Sequence, residues 1–451
     1  MIKVVKFGGS SVANAAQFRK VKKIVSDDPS RMFVVTSACG KESHEDHKVT
    51  DLLYLCEAHI RYGVSYEPLF ELIEKKYRTI RDELHLQTDL DKEFAFIRSL
   101  MKKGVSTDYL VSRGEYLTGK LLAEYLGFTF ADAADVISFR YDGEIDFERT
   151  DMRLRERCGK GGIVIPGFYG AMPNGVIRVM SRGGSDITGA VIANLVNADV
   201  YENWTDVSGI YVADPRIVNN PLRIPGITYN ELRQMSYLGA DVLHDDAVFP
   251  VKEKNIPINI RNTNGPADPG TMILEDFGEA DRTCPPHAIT GITGRKDYTV
   301  ITLVKNHASA EIGILRKMLA VFEDYRVSIE CVPSTVDTYS FIARTENISH
   351  CLYDILSRLR DLIHPDVLKA EDNLALIAVV GRGMKEKPGI SGKLLSEFGA
   401  NTINIKVISQ TADELSILVG VMNRDFEKAI RCIYDKFITE DLTIRKSSDF
   451  D

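Results

Sequence analysis

Cysteine is scarce and scattered in this sequence of 451 residues. The seven cysteines stand at positions 39, 56, 158, 284, 331, 351 and 432, and none forms a Cys-x-x-Cys pair. Their odd number and spacing are typical of reduced thiols and disfavour a disulfide framework or a zinc site. The sequence also lacks a leading signal peptide and an apolar run long enough to span a bilayer. We therefore expect a cytoplasmic protein without a membrane partner.

Several fingerprints of nucleic-acid binding, redox and hydrolytic proteins are missing as well. The net charge is −8 and no block of lysines and arginines stands out, which disfavours nucleic-acid binding. The sequence has no G-x-G-x-x-G motif and no G-x-S-x-G elbow, which disfavours a dehydrogenase and an α/β-hydrolase. Residues 114–121 approach a P-loop, but Leu121 replaces the final Ser/Thr and the segment lies in a predicted helix.

The N-terminal part alternates short apolar strands with longer helical stretches, which predicts an α/β domain over residues 1–285 with a mostly parallel central sheet. Predicted strands include residues 4–5, 32–35, 163–166, 176–179, 200–203 and 256–260. Predicted helices include residues 14–26, 50–62, 66–85, 89–102, 114–126, 186–197 and 230–238. Because residues 66–103 are highly charged, we expect them to form a solvated helical excursion.

The pattern changes after a Pro-rich loop near residues 281–286. Predicted strands at 298–305, 326–332 and 339–344 alternate with helices at 310–324 and 348–363. A similar series follows, with strands at 373–380, 402–409 and 414–421 and helices at 388–399 and 424–437. The sequence thus predicts two ferredoxin-like α+β modules in tandem, at 298–371 and 372–445. The second lacks an evident last strand, so interleaved modules are an open alternative.

The segment Lys6-Phe7-Gly8-Gly9-Ser10-Ser11 follows a short apolar strand. Glycines let backbone N–H groups approach an anion, and a lysine adds a positive charge, so this turn is suited to hold a phosphate. A helix that begins just after the turn would direct its N-terminal amides to the same place. The alternative is an ordinary strand-to-helix connection, for which Gly and Ser are common residues.

A second candidate anion site is Ser181-Arg182-Gly183-Gly184-Ser185-Asp186, which precedes a predicted helix. Two glycines before a helix N-terminus favour anion binding, and Arg182 can hold a carboxylate with two parallel hydrogen bonds. Asp186 could orient a lysine. Helix capping is the alternative for Ser185 and Asp186, but it does not explain the arginine and both glycines.

Two further polar segments follow predicted elements. Residues 204–216 come after the strand at 200–203, where an open α/β sheet usually binds its ligand, although ordinary turns would also explain them. Glu115, near the start of the helix predicted at 114–126, is suited to hold an ammonium group. Its alternative role is a favourable interaction with the helix dipole.

Residues 6–11, 112–115, 181–186 and 204–216 together resemble the motifs of the aspartate kinases, within the amino-acid kinase family. The resemblance covers nearly the whole chain. The two C-terminal modules are similar to the paired ACT domains with which that family senses end-product amino acids. Since no nicotinamide fingerprint is present, the chain resembles the monofunctional enzymes and not their fusion with homoserine dehydrogenase.

The resemblance implies phosphoryl transfer from MgATP to L-aspartate, which yields 4-phospho-L-aspartate and ADP at the start of the lysine, threonine and methionine branch. Lys6 and Asp186 would be catalytic, with Asp186 organising the lysine. The implied ATP-binding residues are Lys6, Gly8, Gly9, Ser10, Thr205, Asp206, Tyr211 and Arg216. Aspartate would contact Thr50, Glu115, Arg182 and Ser185. No carboxylate pair for Mg²⁺ is evident, so the metal would arrive on the nucleotide and the protein would supply no metal site.

The resemblance also implies feedback regulation by an amino acid. The implied effector residues are Gly313, Ile314, Leu315, Ser328, Glu330, Ser334 and Asp337. Glu330 replaces a usual aspartate, and the alternative is a surface carboxylate. Lysine is favoured as the effector, with threonine or both still open. The modules would join two or more copies of the chain into a homodimer or a larger homo-oligomer.

One position departs from the pattern of the family. Asp241 stands where a lysine usually reaches the nucleotide phosphates, so Lys252, Lys254 or Arg261 would have to replace it, or ATP would bind more weakly. Two other functions are therefore kept open. One is the same fold with another acceptor, such as glutamate, N-acetylglutamate, carbamate or UMP, and the other is an amino-acid sensor that has lost ATP binding.

Overall fold

The computed structural model of this chain describes residues 1–43, 45–159, 161–181, 183–239, 243, 248–278, 288–385 and 387–439. The chain divides into two compact units. The first comprises Met1–Ile210, Pro225–Asn230 and Asp241–Asp281, and the second comprises Tyr211–Ile224, Glu231–Ala240 and Arg282–Asp451.

The strands in the described part of the first unit are β1 (Lys3–Phe7), β2 (Arg31–Thr36), β3 (Thr129–Phe130), β4 (Ile163–Pro166), β5 (Tyr169–Ala171), β6 (Ile177–Val179), β7 (Val200–Thr205), β8 (Gly226–Thr228), β9 (Ile258–Asn262) and β10 (Thr271–Leu274). Its helices are α1 (Ala15–Ser26), α2 (Val49–Arg61), α3 (Glu67–Glu83), α4 (Leu90–Lys103), α5 (Thr107–Leu126), α6 (Ala133–Val136), α7 (Phe147–Arg157), α8 (Gly184–Leu195) and α10 (Phe249–Lys252). Helix α9 (Tyr229–Tyr237) begins in this unit, and its residues from Glu231 onward belong to the second unit.

Eight of these strands form one sheet in the order β3-β4-β2-β1-β7-β9-β10-β8. All neighbouring strands in this sheet are parallel except β9 and β10. This arrangement confirms the predicted α/β class with a mostly parallel central sheet. Because parallel strands end at the same edge, β1, β2 and β7 bring their following loops together.

The main apolar core of the first unit lies between the sheet and helices α1 to α5. Phe70, Tyr77 and Phe94 are fully buried in it, and the rings of Phe70 and Phe94 meet edge to face with centroids 6.0 Å apart. The prediction that residues 66–103 form a solvated excursion is therefore wrong. The charges occupy one face of α3 and α4, while the apolar residues spaced three and four apart face the core.

The second unit contains β11 (Gly291–Val304), β12 (Thr338–Arg344), β13 (Val367–Val380), β14 (Ile405–Gln410) and β15 (Ser416–Met422). Its helices, besides most of α9, are α11 (Ile314–Asp324), α12 (Thr345–Ile348), α13 (Leu352–Ile363), α14 (Ile390–Ala400) and α15 (Phe426–Tyr434). Across the described residues of the whole chain, no helix is long and apolar enough to traverse a lipid bilayer.

The five strands of the second unit form one antiparallel sheet in the order β12-β11-β13-β15-β14. Strands β11 and β13 are long and pair along most of their length. Residues 298–304 of β11 lie between β12 and the first half of β13, whereas residues 291–295 pair with residues 376–380. Register shifts near Tyr298 separate the two halves. One continuous sheet therefore serves both of the predicted α+β repeats.

One predicted strand of this unit is wrong. Residues 326–332 form only an isolated bridge between Cys331 and Ile342, and Arg326 adopts a positive φ of 56°. Arg326 belongs to the turn that ends α11, in which its N–H donates to the Glu323 carbonyl and the Val327 N–H donates to the Phe322 carbonyl. The predicted boundary loop at residues 281–286 lies outside the described residues.

Candidate active site

A cleft of about 620 Å³ lies at the carboxyl edge of the first unit's sheet. The ends of β1, β2 and β7 and the starts of α2 and α8 contribute to it. Its lining comprises Lys6, Gly8, Gly9, Ser10, Ser37, Ala38, Cys39, Gly40, Lys41, Lys48, Thr50, Asp51, Glu115, Phe168, Gly183, Gly184, Ser185, Asp186, Thr205 and Asp206. Both glycine pairs recognised in the sequence thus line one cleft.

A buried charge pair in the cleft joins Lys6 to Asp186. The Nζ atom of Lys6 lies 2.6 Å from Oδ1 of Asp186, and Lys6 is only 8% exposed. Lys6 stands near the end of β1, while Asp186 belongs to the first turn of α8. An ammonium held in this way is fixed in position, which suits it to stabilise an anion in the cleft.

The two glycines after β1 differ in their availability. The N–H group of Gly8 donates to the carbonyl of Trp204 at 2.9 Å, so the expectation that it holds a phosphate oxygen is wrong. Gly9 and Ser10 open a short 3₁₀ helix, and their N–H groups have no hydrogen-bond partner among the residues that the structure describes. A Cβ atom on Gly40 would lie 2.6 Å from the carbonyl carbon of Gly9. Gly40 is therefore needed for the close approach of these two loops.

Helix α8 directs its N-terminus into the same cleft. Its N-cap, Gly183, has φ +78°, and the Gly183 carbonyl accepts from the N–H groups of Asp186 and Ile187. The preceding N–H groups of Gly184 and Ser185 have no partner within the described part of the chain. Unpaired amides at the positive end of a 12-residue helix form an anion site. Arg182, predicted to hold the substrate carboxylate, lies outside the described residues.

Glu115 is a buried carboxyl group in the wall of the cleft, with 4% of its surface exposed. Its Oε2 atom has no hydrogen-bond partner among the described residues. Burial raises the pKa of this carboxyl to about 8, although the backbone N–H of Ala38 and the charge of Arg113 act in the opposite direction. Helix α5 begins at Thr107, so the interaction of Glu115 with a helix N-terminus, the alternative considered above, does not apply.

Thr50 lies in the first turn of α2, whose start also faces the cleft. The N-cap of this helix, Lys48, and the nearby Lys41 line the cleft as well, and sequence reasoning missed both lysines. The loop that carries them is fixed by Lys76, whose Nζ donates to the Gly40 carbonyl at 2.5 Å and to Asp46 at 2.6 Å. In the sequence, two lysines in a charged loop look the same whether they bind a ligand or face solvent, so no signal could have identified them.

Phe168 is another residue that the sequence analysis missed. It lines the cleft with a positive φ of 77°, an uncommon conformation for a bulky residue. Its N–H donates to the Thr188 hydroxyl at 3.1 Å, and its carbonyl accepts from the Met180 N–H at 2.7 Å. These bonds keep the backbone of Phe168 beside α8.

The predicted nucleotide residues are divided between the two units. Thr205 and Asp206 line the cleft at the end of β7, with the Thr205 hydroxyl 3.2 Å from a carboxylate oxygen of Asp206. Tyr211 and Arg216 belong to the second unit. There Tyr211 bridges to Arg223, and Arg216 pairs with Asp214 at 2.6 Å.

The three cations considered as substitutes for a lysine at position 241 are engaged elsewhere. Lys252 lies 3.5 Å from a carboxylate oxygen of Glu275. Lys254 donates to the Asn194 carbonyl and the Asn197 side chain, each at 2.7 Å. The Arg261 guanidinium stacks on the ring of Trp204, 4.6 Å from its centre. None of the three lines the cleft, and Asp241 itself lies outside the described residues.

Four carboxyl groups line the described part of the cleft, those of Asp51, Glu115, Asp186 and Asp206. Within the described residues, no group of three or more His, Cys, Asp or Glu side chains is arranged to hold a metal ion. A divalent cation that binds mainly through water and phosphate oxygens would need few protein ligands.

The predicted effector residues lie in the second unit around the start of α11. Gly313 is its N-cap with φ +77°, Ile314 is buried and Leu315 is 37% exposed. Ser328 and Ser334 are exposed, and Asp337 accepts from the Ala308 N–H at 3.0 Å. All of these residues lie in the segment between β11 and β12.

Glu330 is more constrained than a surface carboxylate, since its side chain is only 5% exposed. One of its oxygens accepts from Nε of Arg344 at 3.3 Å, while Oε2 has no partner in the described part of the chain. The surface alternative is therefore wrong. An arginine already shares the charge of Glu330, so an effector ammonium would have to join an existing ion pair.

Comparison with known proteins gives matches along the whole chain. A family model described as the amino acid kinase family matches residues 1–262, and an ACT domain model matches residues 377–437. Aspartokinase 3 of Bacillus subtilis is 35% identical, and the alignment covers 97% of this chain and 98% of that protein. The crystal structure of Clostridium acetobutylicum aspartate kinase, described as an important allosteric enzyme, is 44% identical with a TM-score of 0.90, covering 97% of this chain and 100% of that one.

A further solved structure is that of E. coli aspartokinase III in complex with aspartate and ADP, in the R-state. It is 25% identical to this chain and superposes with a TM-score of 0.75, covering 97% of this chain and 99% of that one.

Proposed function

We propose that this chain, which belongs to the amino acid kinase family and within it to the aspartokinases, transfers the terminal phosphoryl group of ATP to the side-chain carboxylate of L-aspartate. The products are 4-phospho-L-aspartate and ADP. The complex of E. coli aspartokinase III with aspartate and ADP supports both substrates. We propose that Mg²⁺ enters on the nucleotide, held by phosphate oxygens and water.

The observation that carries the proposal is the convergence of Lys6, the N-terminus of α8 and Glu115 on one cleft. Phosphoryl transfer depends mainly on positioning and on stabilising negative charge. Lys6, oriented by Asp186, would stabilise the negative charge on the phosphoryl group during its transfer. The N–H groups of Gly9, Ser10 and Gly184 would contact its oxygens.

Aspartate would bind beside this centre. The unpartnered oxygen of Glu115 would accept from the substrate ammonium, while Thr50, Ser185 and Arg182 would bind its carboxylates. Thr205 and Asp206, which line the cleft, would contact the nucleotide. An ammonium-binding carboxylate beside an anion site distinguishes an amino-acid acceptor from a simple dicarboxylate.

The test is an assay of ADP release with MgATP and a panel of acceptors, combined with hydroxylamine, which traps an acyl phosphate as a hydroxamate. We expect ADP and hydroxamate with L-aspartate. We expect little of either with succinate, which lacks the ammonium group that Glu115 would bind. Turnover with glutamate, N-acetylglutamate, carbamate or UMP but not with aspartate would contradict the proposal. Absence of ATP binding by titration would favour a non-catalytic sensor.

We also propose that the second unit binds an end-product amino acid, lysine first, through two interleaved ACT modules. Pairing of residues 291–295 with residues 376–380 supports the interleaving. The second module then uses a strand whose residues come before the first module in the sequence. We propose that these modules associate into a homodimer or larger oligomer, which light scattering after size exclusion would measure.

Replacing Glu330 with Gln should raise the lysine concentration needed for half-inhibition about tenfold, since a charged hydrogen bond to the effector ammonium is lost. The measurement is the ratio of inhibited to uninhibited rate over a lysine titration, repeated with threonine and methionine. Glu346→Gln is the matched control, because Glu346 also lies near Arg344, at 3.7 Å, but is 72% exposed. Equal inhibition curves for the Glu330 variant and the wild type would refute this pocket.

A further inference from the structure

We infer that Asn203 is a positioning residue for the reaction, because it holds the carboxylate of Asp186 in the orientation that aims Lys6 into the cleft. This inference rests on the proposed function. Asn203 is 3% exposed and lies on β7. Its side-chain Nδ2 donates to Oδ1 of Asp186 at 2.7 Å. Lys6 contacts the same oxygen at 2.6 Å.

The register of the sheet explains why these three groups meet. Lys6 and Asn203 are directly paired residues on the parallel strands β1 and β7. Side chains of paired residues stand on the same face of a sheet. Asp186 accepts from both of them, while its backbone carbonyl also accepts from the hydroxyl of Tyr201 at 3.2 Å. Strand β7 thus fixes the first turn of α8 at two points.

The chemistry of the amide suits this role better than a second charge would. A lysine at position 203 would compete with Lys6 for the Asp186 carboxylate. An ionised carboxylate at position 203 would repel Asp186. The amide N–H group donates one hydrogen bond without changing the net charge of the pair. Among the described residues, Lys6 is thus the cation that pairs with Asp186.

The experiment compares Asn203→Leu and Asn203→Asp with wild type in the complete chain. Leucine removes the donor at similar volume, and we expect kcat to fall about 30-fold with KM for ATP and aspartate within about threefold, because the lost positioning acts on the transferring group. The matched control is Asn194→Leu. Asn194 is another buried asparagine, and its side chain donates to the Pro250 carbonyl at 2.6 Å. We expect this control and Asn203→Leu both to melt at a lower temperature than wild type, and we expect the control to retain kcat.

Asn203→Asp provides a readout that a purely structural role would not move. Two adjacent carboxylates share a proton at low pH. A protonated Asp at position 203 can donate to Asp186 as the amide does, whereas the ionised form repels it. The ratio of the variant's kcat to that of wild type should therefore fall as pH rises through the upper pKa of the pair. Melting curves at each pH show whether the variant is folded, and so separate a fall in the kcat ratio from loss of folded protein.

Trace acetylation of Lys6, followed by mass spectrometry, tests the inference without turnover. We expect Lys6 to be labelled several-fold faster in Asn203→Leu than in wild type or in Asn194→Leu. If the wild type is inactive with every acceptor, the proposed function fails while the labelling still tests Asn203. Unchanged kcat, a flat pH ratio and unchanged labelling in the folded Asn203 variants would overturn the role assigned to Asn203.

Discussion

Replacing Lys6 with methionine will lower kcat about 10³-fold, with a small effect on the free energy of unfolding. Methionine keeps most of the apolar stem that packs below the cleft but removes the ammonium group. The negative charge on the transferring phosphoryl group is then no longer stabilised by a prepositioned cation that is largely shielded from water. Asp186 loses its charge partner, but its side chain is 17% exposed and can be solvated.

The measurement is steady-state ADP release with saturating MgATP and aspartate, alongside thermal unfolding of each variant. Lys3→Met is the matched control, because Lys3 stands on the same strand and is also ion-paired, 2.7 Å from Asp28. An odd spacing along a strand places Lys3 and Lys6 on opposite faces. The control should cost stability and retain kcat. A Lys6 variant that turns over within about tenfold of wild type would show that the lysine is not catalytic.

The location of this centre could be predicted because its parts are local patterns. A short apolar strand, two glycines and a helix start are contiguous in the sequence, at Gly8-Gly9 and again at Gly183-Gly184. The Gly8-Gly9 turn follows β1 of the parallel sheet, where such turns fall at one edge. The Gly183-Gly184 turn follows β6 of the separate β5-β6 pair and opens α8, so the parallel-sheet rule alone predicts the place of the first turn and not of the second. The cleft contains both of them.

The environment of Glu115 could not be predicted in the same way. The helix predicted at residues 114–126 would place Glu115 at its N-terminus. In the structure, α5 begins at Thr107, and the Ser106 side chain caps it by accepting from the Tyr109 N–H. Gly114 is instead needed for packing, since a Cβ atom there would lie 2.9 Å from that of Ala38. Burial of Glu115 results from this helix packing, which the local sequence does not encode.

The strand predicted at residues 326–332 shows the reverse error. Its apolar residues suggested a regular strand, but the segment reaches the sheet only through the bridge of Cys331. Ile329 still packs against the core of the second unit. Hydrophobic spacing therefore located the segment correctly beside the sheet, but its first residues, Arg326 and Val327, form the turn that ends α11.

The second large effect concerns pH. We expect wild type to bind aspartate more tightly as pH rises from 6 to 8, by up to about tenfold per pH unit, and to release a proton on binding. In the free protein, burial raises the pKa of Glu115 to about 8, so its carboxyl is mostly protonated at pH 7. A substrate ammonium beside the carboxyl lowers that pKa, because an opposite charge favours the ionised form.

Isothermal titration of aspartate in buffers of different ionisation enthalpy measures the protons released. Wild type should release about one proton per site at pH 7, and Glu115→Gln should release none from this position. The variant should also bind aspartate about 10²-fold more weakly at pH 8.5, since the amide cannot neutralise the ammonium. Glu74→Gln is the control, because Glu74 is also a buried glutamate but lies outside the cleft. A variant at position 115 that releases the same number of protons as wild type would contradict the assignment.

The same carboxyl makes the stability of the free protein depend on pH, and the sign follows from proton binding. The folded state holds its proton up to a pKa of about 8, whereas in the unfolded chain the carboxyl ionises near its ordinary value of 4.5. Between these values the folded state binds the additional proton. The contribution of Glu115 to the free energy of unfolding therefore falls by ~1.4 kcal/mol for each pH unit as pH rises. Glu115→Gln lacks this decline, so its melting temperature should exceed that of wild type increasingly between pH 5 and about 8, and saturating aspartate should reduce the difference by stabilising wild type.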